Sequence, residues 1–255
     1  MANNELTESF KVFIRIRPFL NKELVCFEKD NVKPESIFEV DDKAITVVEP
    51  VSFLRREKDF YFDGIFNEKD HNFNVFKAAI EPQLDNLFNG FNSTALAYGI
   101  TGTGKTYTVF GDLNEQSEVG LIVLASDYLF NKIKQIENDN NKFTVKMSYM
   151  EIYNENVIDL LNPRPSALMI VEDSVKGVFV PELKEFSLKN SKQLIKLITE
   201  GNKRRTMAPT TQNAFSSRSH ALIQIFLEHR IKGELKDKTI SSKFLFVDLA
   251  GSGGP

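Results

Sequence analysis

The sequence predicts an α/β fold with a central, mostly parallel β-sheet flanked by helices. Three observations predict it. Stretches rich in Val, Ile and Phe alternate with stretches whose apolar residues recur at helical spacing. A glycine-rich turn at Gly99–Thr106 joins an apolar strand to a helix. No internal repeat or low-complexity linker interrupts the chain, so residues 11–255 are expected as one domain after a short extension at 1–10.

The elements follow in order. Lys11–Arg17 alternates in side-chain character and predicts a strand that stops at Pro18. Short strands separated by Asp41-Asp42 and Pro50 are expected up to Phe62. In Asn72–Phe88 the apolar residues Phe73, Phe76, Ala79, Ile80, Leu84, Leu87 and Phe88 fall mostly at helical spacing, with Pro82 predicting a kink or an early stop. Ser93–Tyr98 reads as a short apolar strand and Gly120–Ile136 as a buried helix. Lys142–Tyr153 reads as a strand and Ser191–Glu200 as an amphipathic helix. Ser219–Arg230 and Thr239–Asp248 close the chain as two strands, and Asn138–Asn141 is a polar loop.

Composition narrows the class. The chain has 255 residues, 42% hydrophobic and 26% charged, which is ordinary for a soluble globular protein. A core of this size needs no disulfide or structural metal. The single cysteine, Cys26, has no partner for an internal disulfide and points to a reducing, cytoplasmic compartment. The N-terminus lacks the pattern of a signal peptide, and no apolar run reaches the ~18 residues of a membrane span. A net charge of -3 argues against nucleic-acid binding by bulk charge, while leaving a local basic patch open. His71, His220 and His229 are far apart and show no metal-ligand spacing, so no zinc site is expected.

Gly99-Ile100-Thr101-Gly102-Thr103-Gly104-Lys105-Thr106 fits G-x-x-x-x-G-K-[ST]. Glycines let the backbone curl so that its N–H groups point at phosphate oxygens. The following helix N-terminus adds unpaired donors and positive dipole. Lys105 is expected to neutralise the β- and γ-phosphates of ATP, and Thr106 to place its hydroxyl on Mg²⁺. By chance the pattern should arise in about one chain in a hundred of this length. Its place between a strand and a helix is what the mechanism requires. A dinucleotide fingerprint fits less well, because Tyr107 occupies the place of the third glycine.

Two further segments could sense a γ-phosphate. Asn213–His220 packs hydroxyls and the Arg218 guanidinium ahead of a strand; taken alone it reads first as a polar capping loop. Asp248 ends an apolar strand, which suits a water-mediated Mg²⁺ contact, and Gly251 then allows a backbone N–H to approach phosphate; taken alone this is equally a turn. Glu151 and Glu155 read as fixing local structure rather than as an acid pair, and Lys203-Arg204-Arg205 as a solvated helix end.

In this order the segments resemble the kinesin motor domain. The resemblance begins at Arg15-Ile16-Arg17-Pro18 and runs through Tyr61-Phe62-Asp63 and Ala97-Tyr98-Gly99 into the phosphate loop. Ser148–Leu161 is similar to a family signature. Gly201–Thr206 leads into Asn213-Ala214-Phe215-Ser216-Ser217-Arg218-Ser219-His220, similar to the family's switch I, and Asp248–Ser252 is similar to the start of its switch II. Residues 201–220 lean towards the kinesin-8 class. The resemblance implies a three-layer P-loop NTPase fold. It assigns Gly99, Ile100, Thr101, Gly102, Thr103, Gly104, Lys105 and Thr106 to the phosphates, and Arg15, Arg17, Pro18 and Phe76 to the adenine. Asn213, Ser216, Ser217 and Arg218 become switch I, Asp248 and Gly251 switch II, and Thr106, Ser217 and Asp248 the Mg²⁺ set.

The chain also departs from the family. Ile100 replaces a usual Gln, which backbone-held phosphates tolerate. Gly253 stands where the family has the Glu that pairs with the switch I Arg, here Arg218, and glycine cannot form that pair. The chain stops at Pro255, and the tail Gly251–Pro255 reads as an artificial or mis-assembled end of a partial motor domain. The function implied is an ATP-hydrolysing, microtubule-based motor of the cytoskeleton, with microtubules (tubulin) as partner and neither nucleic acid nor membrane. The alternative is a module that binds nucleotide without hydrolysing it, or an inactive fragment of a longer motor. Oligomeric state is left open.

Overall fold

The computed structural model describes residues 10–29, 38–41, 43–51, 54–113, 118–164, 166–174, 177–206, 218–233 and 235–252. The chain divides into two compact units, residues 1–70 and 71–255.

In the first unit the predicted opening strand is β1 (Phe13–Arg15), which pairs in parallel with β5 (Gly64–Phe66). The rings of Phe13 and Phe66 stack at 5.9 Å across that pair. Between them lie α1 (Asn21–Lys29) and an antiparallel meander of β2 (Phe38–Asp41), β3 (Ala44–Val51) and β4 (Leu54–Tyr61).

The second unit opens with a helical run of α2 (Asn72–Val75), a π-helical stretch Phe76–Ile80, and α3 (Glu81–Phe88). Pro82 accounts for the wide turn. It has no N–H to give the carbonyl one turn back, and the backbone loosens there, with the Glu81 N–H reaching Phe76 O instead. The predicted kink is therefore a π-bulge rather than a stop. Then come β6 (Ser93–Ala97), the short α4 (Lys105–Val109), α5 (Leu121–Ile136), β7 (Asn141–Tyr153), β8 (Asn156–Asp159), β9 (Ala167–Leu168), β10 (Val171–Asp173), β11 (Gly177–Phe179), β12 (Phe186–Leu188), α6 (Ser191–Thr206), β13 (His220–Ile231) and β14 (Lys238–Asp248).

The main sheet runs β6-β14-β13-β7-β8-β9, with β12 also on β7. The expected mostly parallel sheet is corrected here: it is mixed and mainly antiparallel, with β6–β14 its parallel pair. Short connections are the reason. β13 and β14, consecutive in the chain, pair antiparallel. β7 turns into β8 through Asn154 and Glu155, both with positive φ (47° and 59°), as a tight hairpin turn demands. Strands β8–β12 were not foreseen; at two to four residues each they are too short to show an alternation.

Much of the core lies on one face of this sheet. Val145, Met147 and Tyr149 of β7, Ile223 and Ile225 of β13, and Phe244 and Phe246 of β14 are all buried and, by register, share that face. α3, α4 and α6 pack onto the sheet, with α5 against α3, α4 and α6. No helix among the described residues is long and apolar enough to cross a membrane.

Candidate functional site

Strand β6 delivers the chain into the loop 98–104, and α4 leaves it at Lys105. Gly102 and Gly104 sit at φ +86° and +91°, and a Cβ on either would meet nothing within 4 Å. Conformation rather than space therefore requires glycine there. The loop is internally braced: Thr103 Oγ1 donates to Ile100 O at 2.8 Å, and Thr108 Oγ1 donates to Gly104 O at 2.9 Å. Lys105 Nζ donates to Gly99 O at 2.9 Å and Ile100 O at 3.0 Å, which holds the ammonium over the loop.

Strand β14, next to β6 in the sheet, brings Asp248 beside the loop. Thr106 Oγ1 donates to Asp248 Oδ2 at 2.7 Å. Asp248 is 1% exposed, and its other oxygen, Oδ1, is buried with no hydrogen-bond partner among the described residues. After Asp248 the backbone stays on the loop: Leu249 N donates to Ala97 O at 3.3 Å and Ser252 N to Gly99 O at 3.1 Å. A Cβ on Gly251 would come within 2.1 Å of Thr101 Oγ1 and 3.0 Å of Thr101 N, so only glycine permits this approach.

A buried ion network lies behind Asp248. Arg205, 4% exposed, places Nη1 3.5 Å from Asp248 Oδ2 and Nε 3.2 Å from Glu151 Oε1. It also donates to Ser219 O at 3.0 Å and Ser219 Oγ at 3.1 Å. Glu151 and Ser219 are themselves buried. This corrects the reading of Lys203-Arg204-Arg205 as a solvated helix end. Arg204 Nη1 donates to Leu160 O at 2.7 Å, and Lys203 is the exposed member. The signal was present: Leu194, Ile198, Gly201 and Arg205 recur at helical spacing along the buried face of α6. Glu151 and Glu155 do not pair, since Glu155 lies in the β7–β8 turn.

The remaining site candidates sit on other elements. In the first unit Arg15 Nη2 donates to Asp70 O at 3.3 Å, Arg17 donates twice to Glu23, at 2.8 and 2.6 Å, and Pro18 is exposed. Hydrogen bonds from Arg17, then from the Leu20 N–H, hold the Glu23 carboxyl down at about 2. Phe76 is 4% exposed, its ring edge-on to Tyr128 at 6.0 Å. Tyr107, 47% exposed on α4, donates its hydroxyl to Glu118 at 2.8 Å and offers an accessible ring. Arg218 is exposed; Asn213, Ser216, Ser217 and Gly253 lie outside the described residues.

A family model of the kinesin motor domain matches residues 15–254. The chain belongs to the kinesin motor domain family. Its curated relatives include Kinesin-like protein KIF18A of Mus musculus, 36% identical over 98% of this chain, and Kinesin-like protein KIP3 of Saccharomyces cerevisiae, 41% identical over 76%. These matches are compatible with a kinesin-8-like character. A solved structure of a fast kinesin, described for its ATPase mechanism and interactions with microtubules, superposes with a TM-score of 0.84 at 30% identity over 96% of this chain. The chain spans 29% of the mouse relative, 24% of the yeast one and 66% of the fast-kinesin chain. The reading as a hydrolysis-deficient module is not favoured by these relatives. Among the described residues, the phosphate loop and the strand end carrying Asp248 lie side by side.

Proposed function

We propose that this chain is the nucleotide-binding part of an ATP-driven microtubule motor, and that the protein carrying it couples ATP hydrolysis to movement along microtubules of the cytoskeleton. The observation that carries the reading is the Thr106–Asp248 pair, with Asp248 Oδ1 buried and unpartnered beside it. A hydroxyl and a carboxylate are hard oxygen donors of the kind Mg²⁺ takes, and an orphaned carboxylate oxygen leaves a place for a metal-bound water. Thr106 would hold Mg²⁺ directly and Asp248 through water, with Ser217 completing the set by resemblance. When bound, the ion supplies positive charge to the β- and γ-phosphates.

The residues of the chain then divide the work. Backbone N–H groups of 99–106 cradle the phosphates, and Lys105 leaves its carbonyl contacts to meet them. Arg205 holds Asp248 in place from behind. Gly251 lets the segment after Asp248 lie against Thr101, where it can follow the γ-phosphate. Arg218, Asn213 and Ser216 close over it by resemblance, and Arg15, Arg17 and Pro18 are assigned to the adenine on the same ground. The test is ATP turnover by the full-length protein with and without microtubules, with Lys105→Ala as the control. Turnover that rises with microtubules and is lost in the control supports the proposal; turnover indifferent to microtubules rejects it.

A further inference from the structure

We infer that His220 is a positioning residue for the segment after Asp248, acting through Nδ1 as a hydrogen-bond acceptor. The inference rests on the ATP site proposed above. The Ala250 N–H donates to His220 Nδ1 at 3.0 Å. A backbone amide can only donate, so Nδ1 carries no proton and the neutral ring holds its proton on Nε2.

The surroundings give that bond leverage. His220 begins β13 and lies between two fixed neighbours. Ser219, fully buried, is gripped by Arg205 through its carbonyl and hydroxyl. Ala221 stands opposite Asp248 in the β13–β14 ladder. Three consecutive residues therefore anchor three parts of the site: Ser219 the arginine, His220 the amide of Ala250, Ala221 the strand end that carries the acid. Among the described residues, Leu249 N to Ala97 O and Ser252 N to Gly99 O also tether residues 249–252, backbone to backbone. The His220 bond differs in using a side chain.

Without it the Ala250 peptide is free to rotate. Gly251, next in the chain and packed against Thr101, would then lose the fixed peptide plane that sets its own amide. The expected loss is in orientation and so falls on turnover more than on binding. A plain sheet-end cap would not depend on which ring nitrogen is imitated. Here it matters, because an Asn amide oxygen falls near Nδ1 and a Gln amide oxygen near Nε2.

The test compares His220→Ala, His220→Asn and His220→Gln in this chain. Deuterium exchange at the Ala250 amide is followed together with single-turnover ATP hydrolysis and affinity for a fluorescent ATP analogue. Ala and Gln should speed exchange about three- to tenfold and slow turnover by a similar factor. Analogue affinity should stay within about twofold. Asn should restore both exchange and turnover. Unchanged exchange in the Ala variant, or equal behaviour of Asn and Gln, would overturn the inference. Exchange needs no ATP, so a chain without any hydrolysis would count against the proposed function alone and leave the exchange arm to decide on His220. Where the Ala variant fails to fold, the Asn and Gln pair makes the same comparison.

Discussion

Thr106 and Asp248, 142 positions apart in the sequence, are joined by a 2.7 Å hydrogen bond from hydroxyl to carboxylate. The bond fixes the first turn of α4 to the end of β14, and it places side by side two of the three groups assigned to Mg²⁺.

Thr106→Ala removes the hydroxyl and leaves the backbone cradle intact. Measurable affinity for ATP should remain, but its dependence on Mg²⁺ should disappear, because few protein ligands hold this ion and one has gone. Titration of a fluorescent ATP analogue with and without EDTA checks this. An undiminished response to EDTA in the variant would remove Thr106 from the metal set.

Arg205→Met should be strongly destabilising. It leaves Glu151 and Asp248 as buried carboxylates without their cation, and breaking a buried ion pair from one side costs roughly 3–5 kcal/mol. Urea unfolding of the two proteins reads the difference. A loss below about 1 kcal/mol would mean that the network is solvated like a surface pair.

How much of this was legible depends on whether the determinant is local. The phosphate loop is one contiguous segment whose glycines and lysine each have a local reason, and it lies between β6 and α4. Asp248 was readable because a strand end is a local feature. The Arg205–Glu151–Ser219 network was not, because it joins α6, β7 and the start of β13, and only the sheet register brings them together. Strand direction failed for a related reason: alternating elements suggest parallel crossovers, while the Asn154-Glu155 turn and the β13–β14 loop impose hairpins. Phe76 was placed by analogy of position, and its ring packs edge-on to Tyr128.

Gly251→Ala tests the close approach of the segment after Asp248 to the phosphate loop. The added methyl would lie 2.1 Å from Thr101 Oγ1, so one of the two segments must move. Overpacking of this kind costs about 1–3 kcal/mol. Single-turnover hydrolysis should fall more than global stability does. Wild-type turnover in the variant would show that the contact is incidental.

Glu23 supplies a pH dependence with a definite sign. Its folded-state carboxyl is held at about 2, below the ordinary 4.5, by hydrogen bonds from Arg17 and then from Leu20. A depressed acid stabilises fully above its unfolded value, and that contribution is lost as pH falls from about 4.5 towards 2. Thermal unfolding of Glu23→Gln should therefore lie below wild type at neutral pH and converge with it across that window. Parallel curves throughout would mean that the Arg17 pair contributes nothing to folding.

Lys105 gives the most direct measurement on the central claim, that Gly99–Thr106 is an ATP site. Its ammonium sits on Gly99 O and Ile100 O, within reach of whatever the loop cradles. A charge-assisted contact is worth about 1.5–3 kcal/mol, so Lys105→Ala should weaken binding of a fluorescent ATP analogue roughly tenfold or more. A tenfold loss with unchanged unfolding is the expected result. Equal affinities in the two proteins would contradict the account, because the nucleotide would then be bound somewhere other than this loop.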